Sequence, residues 1–391
     1  MEPIKVLFVS PSFYPATYYG GPTFVNKGLC DALAAHPNIE LKVLTTDSNG
    51  PHARITGEAQ STNTSYQTIY CRRFIQPDIA PGLLFRLFGM IRRADVVHLN
   101  AVYSFPTIPA LALCRLFQKP VVWSLHGALQ VWTDEKRSTA KRVWERVCDS
   151  FCDRRRIVVH AASDQEKSIS DVVIKRADSI VIRYGVEMPS FKREESRSAD
   201  GLRLLYVGRL HPIKGIENLL RAVARTHTKV SLHVYGAGDA MYEAKLRTLV
   251  TEFCLDDRVR FHGNVHGEAK EEAFREADLS IIPSFKESFG TVVSEALARG
   301  VPVIASRGTP WERIEEIGCG LWVENNPQDL AAAIDRAAAM HLVEMGKRGR
   351  AWMEREFAWT NVAREIVDQY RRLVRRESSE ENEAATWVKI A

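Results

Sequence analysis

Residues 202–215 read LRLLYVGRLHPIKG and residues 283–300 read PSFKESFGTVVSEALARG. In the first stretch an apolar run closes on Gly208. Two cations, Arg209 and Lys214, then stand five apart just ahead of a helical pattern from Ile216. In the second, the apolar run Leu279–Ile282 leads into a loop carrying Glu287. A helical pattern from Thr291 follows, with Glu295 eight residues beyond Glu287. A buried strand passing through a short loop into a helix is the repeating unit of a parallel sheet covered on both faces.

Working outward, the second half continues the alternation, with strands predicted at Leu202–Val207, Val230–Tyr235, Val259–His262, Leu279–Pro283, Val301–Ala305 and Leu321–Val323. Helices begin near Ile216, Met241, Glu268, Thr291 and Gln328. The first half gives strands at Ile4–Ser10, Glu40–Thr46, Ile69–Phe74, Asp95–Leu99, Val121–His126 and Ser179–Arg183. Its helical patterns are Thr23–His36, Pro106–Phe117, Asp134–Arg155 and Asp164–Arg176. Pro189–Gly201 is polar and aperiodic, a linker by composition. The reading is an α/β protein of two doubly wound, Rossmann-like domains facing a central cleft at the carboxyl ends of their strands. The borders are an amino-terminal domain over 1–188, a linker over 189–201, a carboxy-terminal domain over 202–360, a final helix over 361–376 that returns to the first domain, and a tail over 377–391.

Composition narrows the function classes. The 391 residues are 45% hydrophobic and 26% charged, ordinary for a globular chain. Val6–Val9 is too short for the apolar core of a signal peptide, and prolines and Arg115 interrupt Phe105–Phe117, so no bilayer span is expected. Seven cysteines form no CxxC pair; Cys148 and Cys152 lack a second pair, so reduced thiols and a cytoplasmic address are expected. Residues 1–188 hold 23 Lys/Arg against 17 Asp/Glu, a net of +6, while the remainder holds 30 against 31, a net of −1. The first half should therefore meet something anionic. Nucleic acid is not an expected partner.

The chemistry resides in the two opening stretches. Helix amino termini present unpaired N–H groups and a positive dipole end, so anions settle there. Arg209 and Lys214 beside such a terminus suit a diphosphate, each charge-assisted bond contributing roughly 1.5–3 kcal/mol. Glu287 and Glu295 offer carboxylates to sugar and ribose hydroxyls, and Gly290 allows close approach of the backbone with the N–H groups of Phe289, Gly290 and Thr291 at the helix mouth.

The setting ESFGTVVSEALARGVPVIAS resembles the signature of family 4 retaining glycosyltransferases of GT-B fold (glycosyl transferases group 1). The resemblance extends to YVGRLHPIKG, VYGAGD, VRFHGNV and GLWVENNPQDLAAAI. In the first half it rests on Phe13-Tyr14-Pro15 with Gly20-Gly21, on Ser124-Leu125-His126-Gly127, and on Ala162-Ser163 before Glu166. It implies an enzyme moving a hexosyl group from a nucleoside diphosphate sugar to an acceptor bound by the amino-terminal domain. Arg209 and Lys214 would hold the donor diphosphate, and Glu295 the ribose. Glu287 and the N–H groups of Ser288, Phe289 and Gly290 would hold the sugar. Gly20 and Gly21 would reach over the diphosphate, His126 would contact the donor sugar, and Gly236 would open the floor for the nucleobase. No cofactor and no metal are implied. One departure is Thr309-Pro310-Trp311-Glu312 after Gly308, where many relatives carry a second glycine.

The family is thought to retain configuration by reaction on one face, the leaving phosphate taking the acceptor's proton; no carboxylate of the first half stands out as a nucleophile. A dehydrogenase is excluded: Gly236-Ala237-Gly238 starts the dinucleotide fingerprint, but Met241 replaces its third glycine. A GT-B-fold epimerase or a nucleotide-sugar-binding protein without transfer activity is the alternative. Gly82–Arg93 (GLLFRLFGMIRR) and Asp134–Arg156 mix apolar residues with cations. They suggest a lipid-linked or surface-polysaccharide acceptor and a peripheral address on an anionic membrane surface.

Overall fold

A computed structural model describes residues 2–55, 65–74, 79–130, 138–190 and 201–390, with side chains as far as 376. It divides into two compact units, Met1–Gly185 with Trp359–Ala391, and Val186–Ala358.

In unit 1, the chain runs β1 (Ile4–Val9), α1 (Gly21–Ala34), β2 (Ile39–Thr46), β3 (Gln67–Cys71), α2 (Pro81–Arg93), β4 (Val96–Asn100), α3 (Thr107–Leu116), β5 (Val121–Ser124), α4 (Thr139–Phe151), β6 (Ile157–Ala161), α5 (Asp164–Val173) and β7 (Asp178–Val181). The strands form one sheet in the order β3-β2-β1-β4-β5-β6-β7, every pairing parallel. Strand β4 is buried at all five residues, as a strand with helices over both faces must be.

Unit 2 runs β8 (Leu202–Val207), α6 (Ile216–Arg225), β9 (Val230–Tyr235), α7 (Ala240–Glu252), β10 (Val259–Gly263), α8 (Gly267–Glu276), β11 (Leu279–Ile282), α9 (Thr291–Ala298), β12 (Val303–Ser306), α10 (Arg313–Ile317), β13 (Gly320–Val323), α11 (Pro327–Ala338) and α12 (Leu342–Trp352). Its sheet is also wholly parallel, in the order β10-β9-β8-β11-β12-β13. Helix α6 shows how the sequence makes this layer. Ile216, Leu219, Leu220 and Val223 recur at helical spacing and are all fully buried, each worth roughly 1.5–3 kcal/mol of transfer free energy.

The last helix, α13 (Trp359–Ile390), belongs to unit 1. It buries Val362, Ile366, Val367 and Tyr370 against the sheet face of Val6, Phe8, Val96 and Val122. The expected helix ended at 376, whereas α13 continues to Ile390 through the stretch read as a tail.

The sequence reading left Ile157–Ala161 without a strand, and the structure places β6 there, buried at every residue. A five-residue apolar run carries no periodicity to separate strand from helix. Helices α10 and α12 were also unread. Most of the expected linker (191–200) and the start of the helix read from Asp134 lie outside the described residues. All seven cysteines are unpaired, six of them buried and Cys254 exposed.

Candidate active site

In unit 2 the strand order reverses between β8 and β11, so the loops leaving their carboxyl ends stand side by side, the usual place for a ligand in such sheets. Several contacts join these two loops. The Phe285 N–H donates to the Ile213 carbonyl over 2.8 Å. Gly215, at φ +66°, lies so close to the Pro283 carbonyl that an added Cβ would sit 1.9 Å from its oxygen. The Asn325 amide donates to that same carbonyl, and Asn218 Nδ2 donates to the Asn325 carbonyl over 2.9 Å.

The junction brings two of the predicted side chains into contact. Lys214 Nζ donates to Glu287 Oε1 over 2.6 Å, and Ser284 Oγ donates to the same oxygen over 2.7 Å. The Glu287 N–H donates to the Gly308 carbonyl over 2.8 Å. Among the described residues Glu287 Oε2 has no partner, and the exposed Arg209 guanidinium makes neither hydrogen bond nor ion pair. One carboxylate oxygen and one guanidinium therefore remain for a ligand.

Gly290 takes φ +80° at the start of α9, which has no side-chain cap and no acid in its first turn. Ser288 and Thr291 lie half-buried on either side of it, and Phe289 is buried. The Thr309–Glu312 departure has a definite role here. Trp311 donates its indole N–H to the Phe289 carbonyl and packs against Phe289 and Phe357, with ring centroids 5.1 and 5.4 Å away. A bulky side chain thus braces the turn from behind.

Glu295 lies one turn into α9 and is held by Lys270 Nζ, 2.9 Å from Oε1. Its Oε2 is buried without a hydrogen-bond partner, a costly state for a carboxylate oxygen unless a ligand hydroxyl completes it. Gly236 follows β9 at φ +145°, and an added Cβ would sit 1.8 Å from the Gly208 carbonyl oxygen. The meeting of two strand ends is sufficient reason for glycine at this position.

In unit 1, Gly20 (φ +66°, ψ −135°) and Gly21 make the entry to α1, whose amino terminus is likewise uncapped. His126 lies past the end of β5. It and Gly127 both have positive φ, +53° and +73°, in a turn closed by the Ala128 N–H on the Leu125 carbonyl at 3.1 Å. The half-buried His126 ring has both nitrogens engaged. Asn100 Nδ2 donates to the Val9 carbonyl, so its Oδ1 faces His126 and accepts from Nε2–H over 3.0 Å. Nδ1 then accepts from the Tyr184 hydroxyl over 2.8 Å. Burial first, and the charge of His160 second, hold the His126 pKa well below its usual value, so the ring is neutral and a donor at Nε2.

Glu166 was singled out only as part of a motif, yet it sets this turn. It is 1% exposed; Oε1 accepts from the Gly127 N–H over 2.5 Å and Oε2 from the Ala162 N–H over 2.8 Å. Ser163 caps α5 by accepting from the Glu166 N–H over 3.2 Å. The Ser-x-x-Glu spacing is a readable sign of a helix start. Nothing in the sequence pointed to Lys270, Ser284 or Asn325.

His98, fully buried on β4, lies in a line of hydrogen bonds whose directions can be deduced. His160 Nε2 must donate to the Ile182 carbonyl, 2.7 Å away, which leaves its Nδ1 to accept from Ser124 Oγ over 2.7 Å. Ser124 accepts in turn from His98 Nε2 over 2.7 Å, and His98 Nδ1 accepts from the Tyr370 hydroxyl over 2.6 Å. Helix α13 is thereby tied through the sheet as far as β6.

Two wholly parallel, doubly wound units of this strand order, with cations and carboxylates at the switch point of the second, define an α/β enzyme of GT-B fold. The chain belongs to the family 4 glycosyltransferases. The model "Glycosyltransferase Family 4" matches residues 19–188 and "Glycosyl transferases group 1" matches 188–352. An uncharacterized glycosyltransferase of Methanocaldococcus jannaschii is 31% identical over 92% of this chain and 96% of its own length. The Xanthomonas campestris GDP-mannose:cellobiosyl-diphosphopolyprenol alpha-mannosyltransferase is 27% identical over 94% and 96% of the two chains. The crystal structure of Anabaena HepE in complex with UDP superposes with a TM-score of 0.73 at 19% identity, covering 94% of this chain and 99% of that one.

Proposed function

We propose that this glycosyltransferase moves a hexosyl group, with retention, from a nucleoside diphosphate sugar to a lipid-linked glycan acceptor at an anionic membrane face. The observation that carries the reading is Lys214 bound to Glu287, beside a free Arg209, where two strand-end loops meet. Arg209, Lys214 and the α9 amino terminus take the diphosphate. Glu287 Oε2 and the Ser288–Gly290 backbone take sugar hydroxyls, and Glu295 Oε2 accepts from the ribose. From unit 1, Gly20 and Gly21 serve the diphosphate and the Nε2–H of His126 serves the sugar, exchanging Asn100 for a sugar oxygen.

In the step itself the bond from the anomeric carbon to the leaving phosphate oxygen breaks, and the acceptor oxygen bonds on the same face. Its proton passes to the leaving phosphate. The protein orients both partners and stabilises negative charge on the departing diphosphate. A covalent route would need a free carboxylate, and Glu166 beside the His126 turn commits both oxygens to backbone N–H groups. We assign charge stabilisation to Arg209 and Lys214, without a metal.

The lipid-linked acceptor is supported by the diphosphopolyprenol acceptor of the Xanthomonas relative, and the nucleoside diphosphate by the UDP bound to HepE. The test is a donor screen by thermal shift followed by transfer to a polyprenyl-diphosphate sugar, with product configuration read from the anomeric proton coupling. Inversion, or transfer only to water-soluble acceptors, would overturn the corresponding part.

A further inference from the structure

Helix α2 buries Leu83, Leu87 and Ile91 at i, i+4 and i+8, so its opposite face looks outward. That face carries Leu84, Phe85 and Phe88, which are 36%, 85% and 48% exposed. Large apolar side chains of this kind ordinarily go inside. The Phe88 ring meets Phe117 at 5.1 Å, which continues the apolar surface to α3, where Leu116 is 68% exposed. Arg86, Arg92 and Arg93 border it, Pro81–Arg93 contains no acid, and among the described residues none of the three arginines is in an ion pair.

A cavity of about 540 Å³ opens at the carboxyl end of the same helix, at the amino ends of β1 and β2. Met90 and Arg93 of α2 line it together with Lys5, Glu40 and Lys42. Glu40 lies 3.3 Å from Lys42, and the other two cations have no ion-pair partner among the described residues. This cavity lies at the opposite end of the sheet from the His126 turn, so neither donor nor acceptor chemistry explains it.

We propose that this face of α2 docks on an anionic lipid bilayer, with Leu84, Phe85 and Phe88 entering the interface and a lipid phosphate seated among Lys5, Lys42 and Arg93. The proposal extends the lipid-linked acceptor reading by naming where the enzyme meets the bilayer. Charge complementarity selects the occupant. Aromatics flanked by arginines place rings among acyl chains and guanidinium groups at the phosphates. A second copy on the same face would set Arg92 and Arg93 against their own like charges. The helix, about 20 Å long, lies along the surface and cannot cross it. Among the described residues no helix is long and apolar enough to span a membrane.

Flotation of the full chain with phosphatidylglycerol/phosphatidylcholine vesicles tests the proposal. Binding should appear at low salt, fade as salt rises, and be absent on phosphatidylcholine alone. Phe85→Ser/Phe88→Ser, Arg92→Glu/Arg93→Glu and Lys5→Ala/Lys42→Ala should each lower partitioning about tenfold or more, with donor hydrolysis unchanged. Absence of vesicle binding, binding untouched by the Phe pair or by the Lys pair, or a dimer that the Phe pair makes monomeric would overturn it. Donor hydrolysis is scored separately. Vesicle binding without hydrolysis would count against the catalytic reading alone, and hydrolysis without vesicle binding against this surface alone.

Discussion

Lys214 and Glu287 meet at 2.6 Å although 73 residues separate them, and Ser284 donates to the same carboxylate oxygen. The pair is partly buried, at 22% and 13% side-chain exposure, so each charge is positioned and little screened. Lys214→Ala should weaken nucleoside diphosphate binding by about ten- to a hundredfold, the weight of one charge-assisted bond. Glu287→Gln should lower kcat while leaving the nucleotide Kd within a few fold. Calorimetric titration with UDP and GDP beside steady-state rates separates the two. Equal losses of Kd in both variants would contradict the division of labour.

Glu295 presents its orphaned Oε2, and a ribose hydroxyl is the group proposed to complete it. Wild-type protein should therefore prefer a ribonucleoside diphosphate to its 2′,3′-dideoxy analogue by about tenfold, one hydrogen bond to a charged acceptor. Glu295→Ala should abolish that preference. A preference that survives the substitution would move the ribose elsewhere.

Charge stabilisation by Arg209 and Lys214 predicts that nucleoside diphosphate raises the melting temperature equally with and without EDTA. Loss of the shift on chelation would call for a metal in the site.

The histidine line makes unit 1 sensitive to acid. Burial is the first cause of the lowered pKa of both His98 and His160, the latter pushed down to about 4. Below the usual histidine value of about 6.5 the unfolded chain gains protons that the folded chain refuses, so stability falls as pH drops. His160 contributes a slope of up to about 1.4 kcal/mol per pH unit between about 6.5 and 4, and His98 adds to it in the same direction. Urea melts across that window should show the loss. A flat profile would mean that these rings charge freely in the folded state.

How much of this was legible can be traced to particular residues. Strands β8 and β9 were read to the residue, because LRLLYV is largely apolar, VSLHVY alternates apolar with polar residues, and a glycine closes each. Glu287 and Lys214 were legible as candidates from motif and type, but their contact was not. It depends on Gly215 fitting under the Pro283 carbonyl and on Asn325, which reaches in from beyond β13. Lys270 on α8 had no local sign, since its partner Glu295 is 25 residues away. The histidine line was invisible for the same reason: it joins three neighbouring strands to Tyr370, 272 residues from His98.

The final prediction concerns Glu166 and the His126 turn. Two backbone donors, Gly127 and Ala162, converge on this buried carboxylate, and only a group with two acceptor oxygens satisfies both. Burial raises the Glu166 pKa while the two N–H groups oppose the shift. Glu166→Gln keeps the size but sets an amide NH2 against one of the donors, leaving that N–H unpaired at a cost of about 1–3 kcal/mol. The turn, with two successive residues at positive φ, should relax and move His126 off Asn100 and Tyr184. A shift of that order costs roughly a hundredfold in rate when a group must be held in place. Glu166→Gln should therefore lower kcat by one to two orders of magnitude, and His126→Ala should do the same, with nucleotide Kd kept in both because neither residue is assigned a contact to the diphosphate or the nucleoside. Combining the two substitutions should add little to either alone, as expected of residues acting through one turn. If Glu166→Gln folds with kcat within twofold of wild type, the carboxylate only ties the Gly127 turn to the Ala162 backbone. If the double variant multiplies the two losses, Glu166 and His126 act independently.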